Sequence, residues 1–347
     1  MPNRGKSAAN AAVFRLLDEF CSSRDEPLAN AGSPRWISTT NGGREFLVRA
    51  RLTEQISFSA STKVARFDLS NRAYFISSGL DAPEPPKELT TEELDGGILT
   101  AFLAELAPRP LVPPLAIRDV VEFADKLSTP DYDGHDPSLM RDLFPKIQVF
   151  SAENLLPEET FKVFFLICLS DRRRIEQWID QQLADTLMAM TELSASSVPY
   201  EALCRALLDM DPTALFLTLY RCLESLYAYA QAKAFIAAIG AEKNWLEMAE
   251  KLEITLGWYP REEPSLESLL GRALPEDLHG VAAALKEPIP RGATESSFVA
   301  KKIYQLRNAI VHYRPLHHKV SIKRVDWNRL CEATTRLVRH IHKECSV

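Results

Sequence analysis

The spacing of apolar and polar residues changes along this chain of 347 residues. Between residues 35 and 80, apolar and polar side chains alternate in short runs, and Asn41-Gly42-Gly43 and Ser70-Asn71 separate these runs as turns. From residue 157 onward, apolar residues recur every three or four positions, as on one face of an α-helix. We therefore predict an α+β chain that is mainly α-helical, with a small N-terminal antiparallel sheet that keeps one face in solvent.

Proline marks a boundary after the predicted strands, with seven prolines between residues 81 and 114. The chain is long enough for two or three domains. Its longest apolar run, residues 163–169, is far shorter than the roughly 20 residues that a membrane span requires. We predict an N-terminal α+β region at 1–128, with a β-rich part at 35–80 and a Pro-rich linker at 81–114, then a helical middle segment at 129–204 and a helical bundle at 205–347.

Four long amphipathic helices are predicted in the last region, with shorter helical pieces between the second and the third. Asp211 and Pro212 form a strong helix start, because Asp caps a helix and Pro suits its first position. The first helix is predicted to run from there to Ile239, where Gly240 ends it. The other three are predicted at about 242–256, from Ser296 or Ser297 to Pro315, and at 326–342. Four such helices predict a bundle.

The third of these helices carries three polar residues opposite an apolar stripe. Asn308 and His312 are four residues apart and are predicted to meet on one face, with Arg307 about 100° round the helix. The apolar stripe consists of Val299, Ile303, Leu306, Ile310 and Tyr313. This arrangement predicts a buried helix that presents Arg307, Asn308 and His312 on its polar side.

An Arg-Asn-x-x-x-His run on the polar side of such a helix resembles the active-site signature of HEPN domains, a helical family with many metal-independent endoribonucleases. The order of the helices over residues 205–347 agrees with that family, and the residues before 205 carry no resemblance. The resemblance implies a C-terminal HEPN-like four-helix bundle, RNA as substrate and a homodimer with the Arg/His site at its interface. It also implies a charged residue of the first helix beside Arg307, for which Glu224 is the best match.

These residue types suit RNA cleavage without a metal or another cofactor. The 2′-OH attacks the adjacent phosphorus once a base has taken its proton, and histidine can take or give a proton near neutral pH. Arginine offers a charged fork to the phosphate oxygens, and asparagine can hold the imidazole or donate to the phosphate. One helix does not focus its own Arg and His, so two copies are expected to pair across a two-fold axis. We predict catalytic roles for Arg307, Asn308 and His312, and substrate contacts for Lys301, Lys302, Tyr313, Arg314 and Glu224.

The distribution of charge agrees with a phosphate-bearing ligand at the C-terminal end. Residues 291–347 carry 12 Lys and Arg against four acidic residues, a formal charge of +8, whereas the preceding part carries 29 against 43, or −14. A basic end on an acidic chain indicates an anionic partner, although a solvated helix face would show the same charge.

The six cysteines are scattered without a Cys-x-x-Cys pair, and the first residues lack the features of a signal peptide. Both observations predict a cytoplasmic chain that does not enter a membrane.

Two functions stay open. The first is a HEPN-type endoribonuclease that serves as a toxin or effector of a prokaryotic defence system, with a regulatory protein or ligand bound to its N-terminal region. The second is a non-catalytic HEPN-like bundle for dimerisation, RNA binding or partner binding, because an Arg and a His five residues apart also arise by chance on surface helices. HEPN toxins silenced by nucleotidyltransferase partners carry Tyr two residues after the His. Arg314 stands at that position here, which disfavours that mode of regulation.

Overall fold

The computed structural model describes residues 5–31, 33–87, 89–122, 132–171, 178–312 and 324–345. The chain divides into two compact units, Met1–Arg173 and Arg174–Val347. Its described part is α+β and mainly α-helical, with a small antiparallel sheet in the first unit, so the predicted fold class is confirmed. None of the described helices combines the length and the apolar character that crossing a lipid bilayer demands.

The first unit is built around an antiparallel sheet, whose five described strands lie in the order β1-β2-β3-β5-β4. The strands are β1 (Arg51–Ser57), β2 (Lys63–Leu69), β3 (Arg72–Ser78), β4 (Thr90–Glu92) and β5 (Ile147–Glu153). The helices of this unit are α1 (Lys6–Ser22), α2 (Asn41–Arg49), α3 (Gly96–Leu106), α4 (Pro114–Val121), α5 (Pro137–Arg141) and α6 (Thr160–Leu169).

Both faces of this sheet are covered, so the predicted solvated face is wrong. Phe67 and Ile76 belong to a core that also contains residues of α1, α2 and α3. On the opposite face, the Phe75 ring lies 5.9 Å from the Phe164 ring of α6. The apolar run 163–169 is therefore a buried helix that packs on the sheet.

Arg66 explains why the alternation of β2 resembled a solvated strand. This polar residue is only 4% exposed, because its guanidinium donates to Thr160 Oγ1 at 2.7 Å and to the carbonyl oxygens of Leu155 and Leu156. The interior can hold a buried arginine when its charge is paired and its hydrogen bonds are satisfied, and Asp68 Oδ1 pairs with Arg66 Nε at 2.7 Å. Polar and apolar residues do alternate along β2, but this alternation does not mean that one face of the strand is exposed to water.

Residues 41–49 form α2, although a turn at 41–43 and a β-rich stretch at 35–80 were predicted. Thr40 caps this helix, since its Oγ1 accepts a hydrogen bond from Gly43 N at 3.1 Å, and Phe46 and Leu47 pack into the core. In the described structure, residues 35–39 form no strand beyond an isolated bridge from Ile37 to His135. The Asn-Gly-Gly sequence after two threonines is thus a helix start, not a hairpin turn.

Strand β5 lies inside the segment that was predicted to be helical. It pairs with β3 over its whole length, with Phe75 opposite Phe150, and with β4 on its other side. Its pairing partners are more than 50 residues upstream, so the chain near residue 150 contains little sign of them. The sheet consequently extends beyond the β-rich stretch 35–80.

The second unit contains only helices among its described regular elements, apart from a short 3₁₀ turn. Helix α15 packs against α7, α9 and α13, and α14 packs against α9, α12 and α13. The helices are α7 (Gln181–Ala189), α8 (Tyr200–Leu207), α9 (Pro212–Glu224), α10 (Tyr229–Ile239), α11 (Trp245–Leu256), α12 (Glu262–Leu270), α13 (Pro275–Ala284), α14 (Glu295–Val311) and α15 (Trp327–Cys345).

The predicted first long helix of this unit is two helices, α9 and α10. Its start is confirmed, because Asp211 Oδ1 accepts from Thr213 N at 2.9 Å, and so is its end at Gly240, which has a left-handed φ of 62°. The break at residues 225–228 brings Tyr227 into the core, where its hydroxyl donates to Tyr220 Oη at 2.8 Å. Burial of this side chain favours the break over a continuous helix.

Candidate active site

The candidate site lies on α14, where three neighbouring helices bury one face. Val299, Ile303 and Leu306 of the predicted stripe are at most 1% exposed. Ile310 is half-buried, and Tyr313 lies outside the described residues. The apolar stripe therefore fixes which residues of α14 face outward.

Both predicted ends of this helix are wrong by a few residues. Thr294, not Ser296 or Ser297, precedes the first helical residue, because the chain turns at Gly292 with a φ of 81° and enters the helix directly afterwards. The helix ends at Val311, and His312 is already extended with φ −111° and ψ 113°. Pro315, the predicted terminator, lies outside the described residues.

Arg307 is held on the surface of the unit by two hydrogen bonds and one longer ion pair. Its Nη1 donates to Asn308 Oδ1 at 3.0 Å, and its Nη2 donates to Glu224 Oε1 at 3.4 Å. Glu262 at the start of α12 lies on the other side, with its Oε2 3.9 Å from Nη1. The Arg307 side chain is 21% exposed, so the guanidinium is partly desolvated and still open to a ligand.

Glu224 ends α9 beside Arg307, which is the placement that the resemblance implied for it. Burial raises the pKa of the Glu224 carboxyl above its usual value, Arg307 opposes that rise and Glu262 adds to it. Half-burial beside a second carboxylate thus outweighs the attraction of Arg307 and Arg221. The site holds two acidic groups around a single guanidinium.

Two tyrosines form the floor next to this ion pair. The Tyr220 ring centroid lies 5.8 Å from Arg307 Cζ, and the Tyr220 hydroxyl accepts the hydrogen bond from Tyr227. Burial raises the pKa of Tyr220 to about 12 and raises that of Tyr227 as well. Both phenols therefore stay protonated at neutral pH and contribute dipoles, not charge.

His312 stands apart from this cluster. Its backbone N–H donates to Asn308 O at 2.9 Å, which closes the last turn of α14, and its side chain is exposed. Across the described residues there is no hydrogen bond between the Asn308 and His312 side chains, because Asn308 Oδ1 accepts from Arg307 instead. The structure thus brings Arg307, Asn308 and Glu224 together and leaves His312 free at the end of the helix.

The two predicted lysines differ in their surroundings. Lys302 Nζ forms an ion pair with Glu287 and lies 5.5 Å from the Phe298 ring centroid. Lys301 is exposed and makes no ion pair with any residue that the structure describes. Tyr313 and Arg314, the other predicted substrate contacts, lie outside the described residues.

Glu262 and Tyr220 are members of this cluster that the sequence reasoning missed. Tyr220 precedes Glu224 by four residues on α9, so the helical spacing that singled out Glu224 could have included it. Glu262 gives no such signal, since only the packing of α12 against α14 brings it to Arg307. Within the described residues, no three His, Cys, Asp or Glu side chains are grouped so that they could hold a metal ion.

Comparisons with protein-family models, with curated proteins and with solved structures found no match to this chain.

Proposed function

We propose that this protein is a metal-independent endoribonuclease that cleaves single-stranded or structured RNA at a site formed by Arg307, Asn308 and His312. The observation that carries the proposal is the partly desolvated Arg307 guanidinium, held by Asn308 and Glu224, with an exposed histidine five residues further along the chain. A fixed arginine is the group that a pentacoordinate phosphorane needs, and an exposed histidine is free to exchange protons with a substrate.

The chemistry uses the 2′-hydroxyl of the RNA as nucleophile. One His312 imidazole takes the 2′-OH proton, the new 2′-oxygen–phosphorus bond forms and the phosphorus–5′-oxygen bond breaks. A protonated His312 of a second copy gives a proton to the leaving 5′-oxygen, so the products are a 2′,3′-cyclic phosphate and a 5′-hydroxyl. Arg307 stabilises the phosphorane oxygens, and Asn308 and Glu224 orient its planar fork.

A homodimer follows from the separation of Arg307 and His312 within one chain. Two copies of α14 facing each other across a two-fold axis would supply two arginines and two histidines to one groove. The exposed end of α14 suits such a contact, since Val311 is 49% exposed there. We propose an interface that includes residues 300–315.

The setting that fits this activity is a cytoplasmic toxin or effector of a prokaryotic defence system, in which the first unit binds a regulatory protein or ligand. An endoribonuclease of broad specificity needs such restraint in the cell that makes it.

The test is cleavage of a labelled single-stranded RNA and of transfer RNA in the presence of EDTA. We expect the wild type to cut, leaving 2′,3′-cyclic or 3′-phosphate ends, and Arg307→Ala and His312→Ala each to lower the rate by about 10²-fold or more. His279→Ala and Arg291→Ala remove an exposed histidine and an exposed arginine of the same unit and should cut like the wild type. Cleavage that vanishes with EDTA, or that survives both site variants, excludes this mechanism.

The second candidate is a bundle that dimerises, binds RNA or binds a partner without catalysis. One observation favours it: the Arg307 guanidinium already faces two carboxylates, Glu224 and Glu262, which compete with a phosphate. In that case the wild type would bind RNA without cutting it, affinity would fall steeply with salt, and His312→Ala would bind as well as the wild type.

A further inference from the structure

A groove on the first unit runs between α1 and the segment at residues 33–36. Its volume is about 890 Å³, which is the size of a pocket for a small organic ligand. Lys6, Arg15 and Phe14 line it from α1, and Arg35 and Trp36 line it from the opposite side. None of these residues belongs to the candidate active site, which is in the other unit.

The groove carries cations at its two margins. Lys6 begins α1 and Arg15 follows nine residues later, so the two lie about 13 Å apart along the helix axis. Neither forms an ion pair with a described residue, whereas the buried Arg35 is neutralised by Asp18, whose Oδ2 is 2.5 Å from its Nη2. The lining therefore has a formal excess of two positive charges.

Backbone donors at the start of α1 have no side-chain acceptor, and Arg35 Nε, which is buried beside the groove, has none either. The Arg35 side chain is 1% exposed, and its Nε has no hydrogen-bond partner among the described residues. The N-cap of α1 is Gly5, which has no side chain to accept from the first-turn N–H groups beside Lys6 and Ser7. A helix of 17 residues has the positive end of its dipole at this position.

The lining also contains two aromatic side chains, Phe14 and Trp36, that pack against neighbouring rings. The Trp36 ring lies 4.2 Å from the Tyr132 ring, and the backbone of Trp36 accepts from His135 N at 2.8 Å. Tyr132 Oη in turn lies 2.6 Å from His135 Nδ1, and the pKa of the buried His135 is lowered by its burial. Phe14 is only 2% exposed and packs against the His135 ring at 5.0 Å, so Trp36 is the aromatic side chain that a ligand can reach, and its ring is fixed before a ligand arrives.

We propose that this groove binds a nucleoside triphosphate, with its base against Trp36 and its phosphates along Lys6, Arg15 and the first turn of α1. An aromatic wall recognises the flat face of a base. Cations that are separated along a groove suit a ligand with a chain of phosphates better than a ligand with a single carboxylate. The volume of the groove exceeds what a lone phosphate or an amino acid would fill. The first unit is, by this assignment, a nucleotide-binding unit.

The test is isothermal titration calorimetry of the full-length chain with ATP, GTP and UTP in EDTA. We expect saturable binding of at least one of them in the micromolar range, at one site per chain, and weaker binding of adenosine or inorganic triphosphate alone. Lys6→Gln, Arg15→Gln and Trp36→Leu should each weaken the affinity roughly tenfold. Thermal melting of each variant shows whether its fold is intact.

The controls separate this groove from other basic surfaces. Lys87→Gln and Arg44→Gln remove exposed charges elsewhere on the first unit, and both should bind like the wild type. Absence of saturable binding of all three nucleotides overturns the proposal. So does binding that the groove variants leave unchanged, or inorganic triphosphate that binds as tightly as ATP. These outcomes do not depend on whether the protein cuts RNA.

Discussion

Lys301 and Lys302 are neighbours on α14, yet only Lys302 forms an ion pair with a described residue. Lys302 is paired with Glu287, whereas Lys301 is exposed without an ion pair among the described residues. A lysine that already has a carboxylate partner gains less from a phosphate, because it must first give up that partner. Adjacent residues of the same type should therefore contribute unequally to RNA binding.

Lys301→Gln should weaken RNA binding roughly threefold to tenfold and reduce the salt dependence of the affinity by about one phosphate contact. Lys302→Gln should have a smaller effect. The measurement is fluorescence anisotropy with labelled RNA over a range of salt concentrations, in the His312→Ala background so that the RNA stays intact. A larger loss for Lys302→Gln than for Lys301→Gln would contradict the assignment.

Glu224 makes stability depend on pH in a definite direction. Its pKa is raised in the folded chain, so between the unfolded value of 4.5 and the raised value the folded state binds more protons than the unfolded state. Stability must then fall as pH rises through that interval, and it stays lower above it. Ionised Glu224 is tolerated next to Arg307 at a net cost to the fold.

Glu224→Gln should remove this part of the pH dependence. Urea unfolding followed by tryptophan fluorescence reports mainly on the second unit, which holds four of the five tryptophans. The free energy of unfolding of the wild type, relative to Glu224→Gln, is expected to decrease as pH rises above about 4.5. Glu263→Gln, an exposed position on α12, is the control and should follow the wild type. A difference that instead grows with pH would show that Arg307 dominates.

Helices α2 and α3 approach so closely that their first turns leave no room for side chains. A Cβ atom added to Gly97 would lie 2.0 Å from the carbonyl oxygen of Gly43, and backbone cannot move aside as a flexible side chain does. Asp95 joins the two helix starts, since its carboxylate accepts from Gly97 N at 2.6 Å and from Thr40 N at 3.1 Å. Burial alone would raise the pKa of Asp95, but the hydrogen bond that Thr39 Oγ1 donates at 2.6 Å and these two backbone hydrogen bonds lower it.

Gly97→Ala should lower the free energy of unfolding of the first unit by about 3 kcal/mol, because the two helices must move apart. Gly42→Ala is the matched control in α2, where an added Cβ would meet only Thr40 Oγ1 at 3.9 Å. That variant should be neutral within about 0.5 kcal/mol or slightly stabilising, since Ala favours a helix over Gly. Thermal or urea unfolding monitored by circular dichroism distinguishes them, and equal stability of the two variants would refute the close approach.

The chain as a whole combines an acidic first part with a basic end, and its proposed site is incomplete in one copy. Arg307 lies in α14 and His312 directly follows the end of that helix, but their side chains do not meet, which is the reason for expecting a second chain. Light scattering after size exclusion should give twice the chain mass of 39.0 kDa at micromolar concentration. A monomer that still cuts RNA would contradict this assembly.

Val311→Glu should separate the two copies and abolish cleavage together, because a charge at an exposed apolar residue of α14 would have to be buried in the interface. Val48→Glu places the same change at an exposed valine of α2 and should leave both mass and cleavage unchanged. Loss of cleavage in Val311→Glu with the mass of a dimer would assign Val311 to the RNA surface, not to the interface.

Several features of this protein follow from local sequence. Asp211 and Pro212 begin α9, and Gly240 and Gly257 end helices in left-handed conformations, because caps and glycine act through a few neighbouring backbone groups. The stripe of α14 also follows from spacing, as its buried positions repeat with the helical period. The hydrogen bond between Arg307 and Asn308 joins two residues that are adjacent in the sequence. Local stereochemistry is encoded in local residues.

The remaining features were decided by contacts between distant segments. Strand β5 exists because β3 and β4 pair with it, and α2 is a helix because its apolar residues pack beneath the sheet. Glu262 reaches Arg307 only through the packing of α12 on α14, and the free position of His312 depends on where α14 ends. These contacts are stabilised by burial and strand pairing between segments that are far apart in the sequence, so no short stretch of the sequence predicts them.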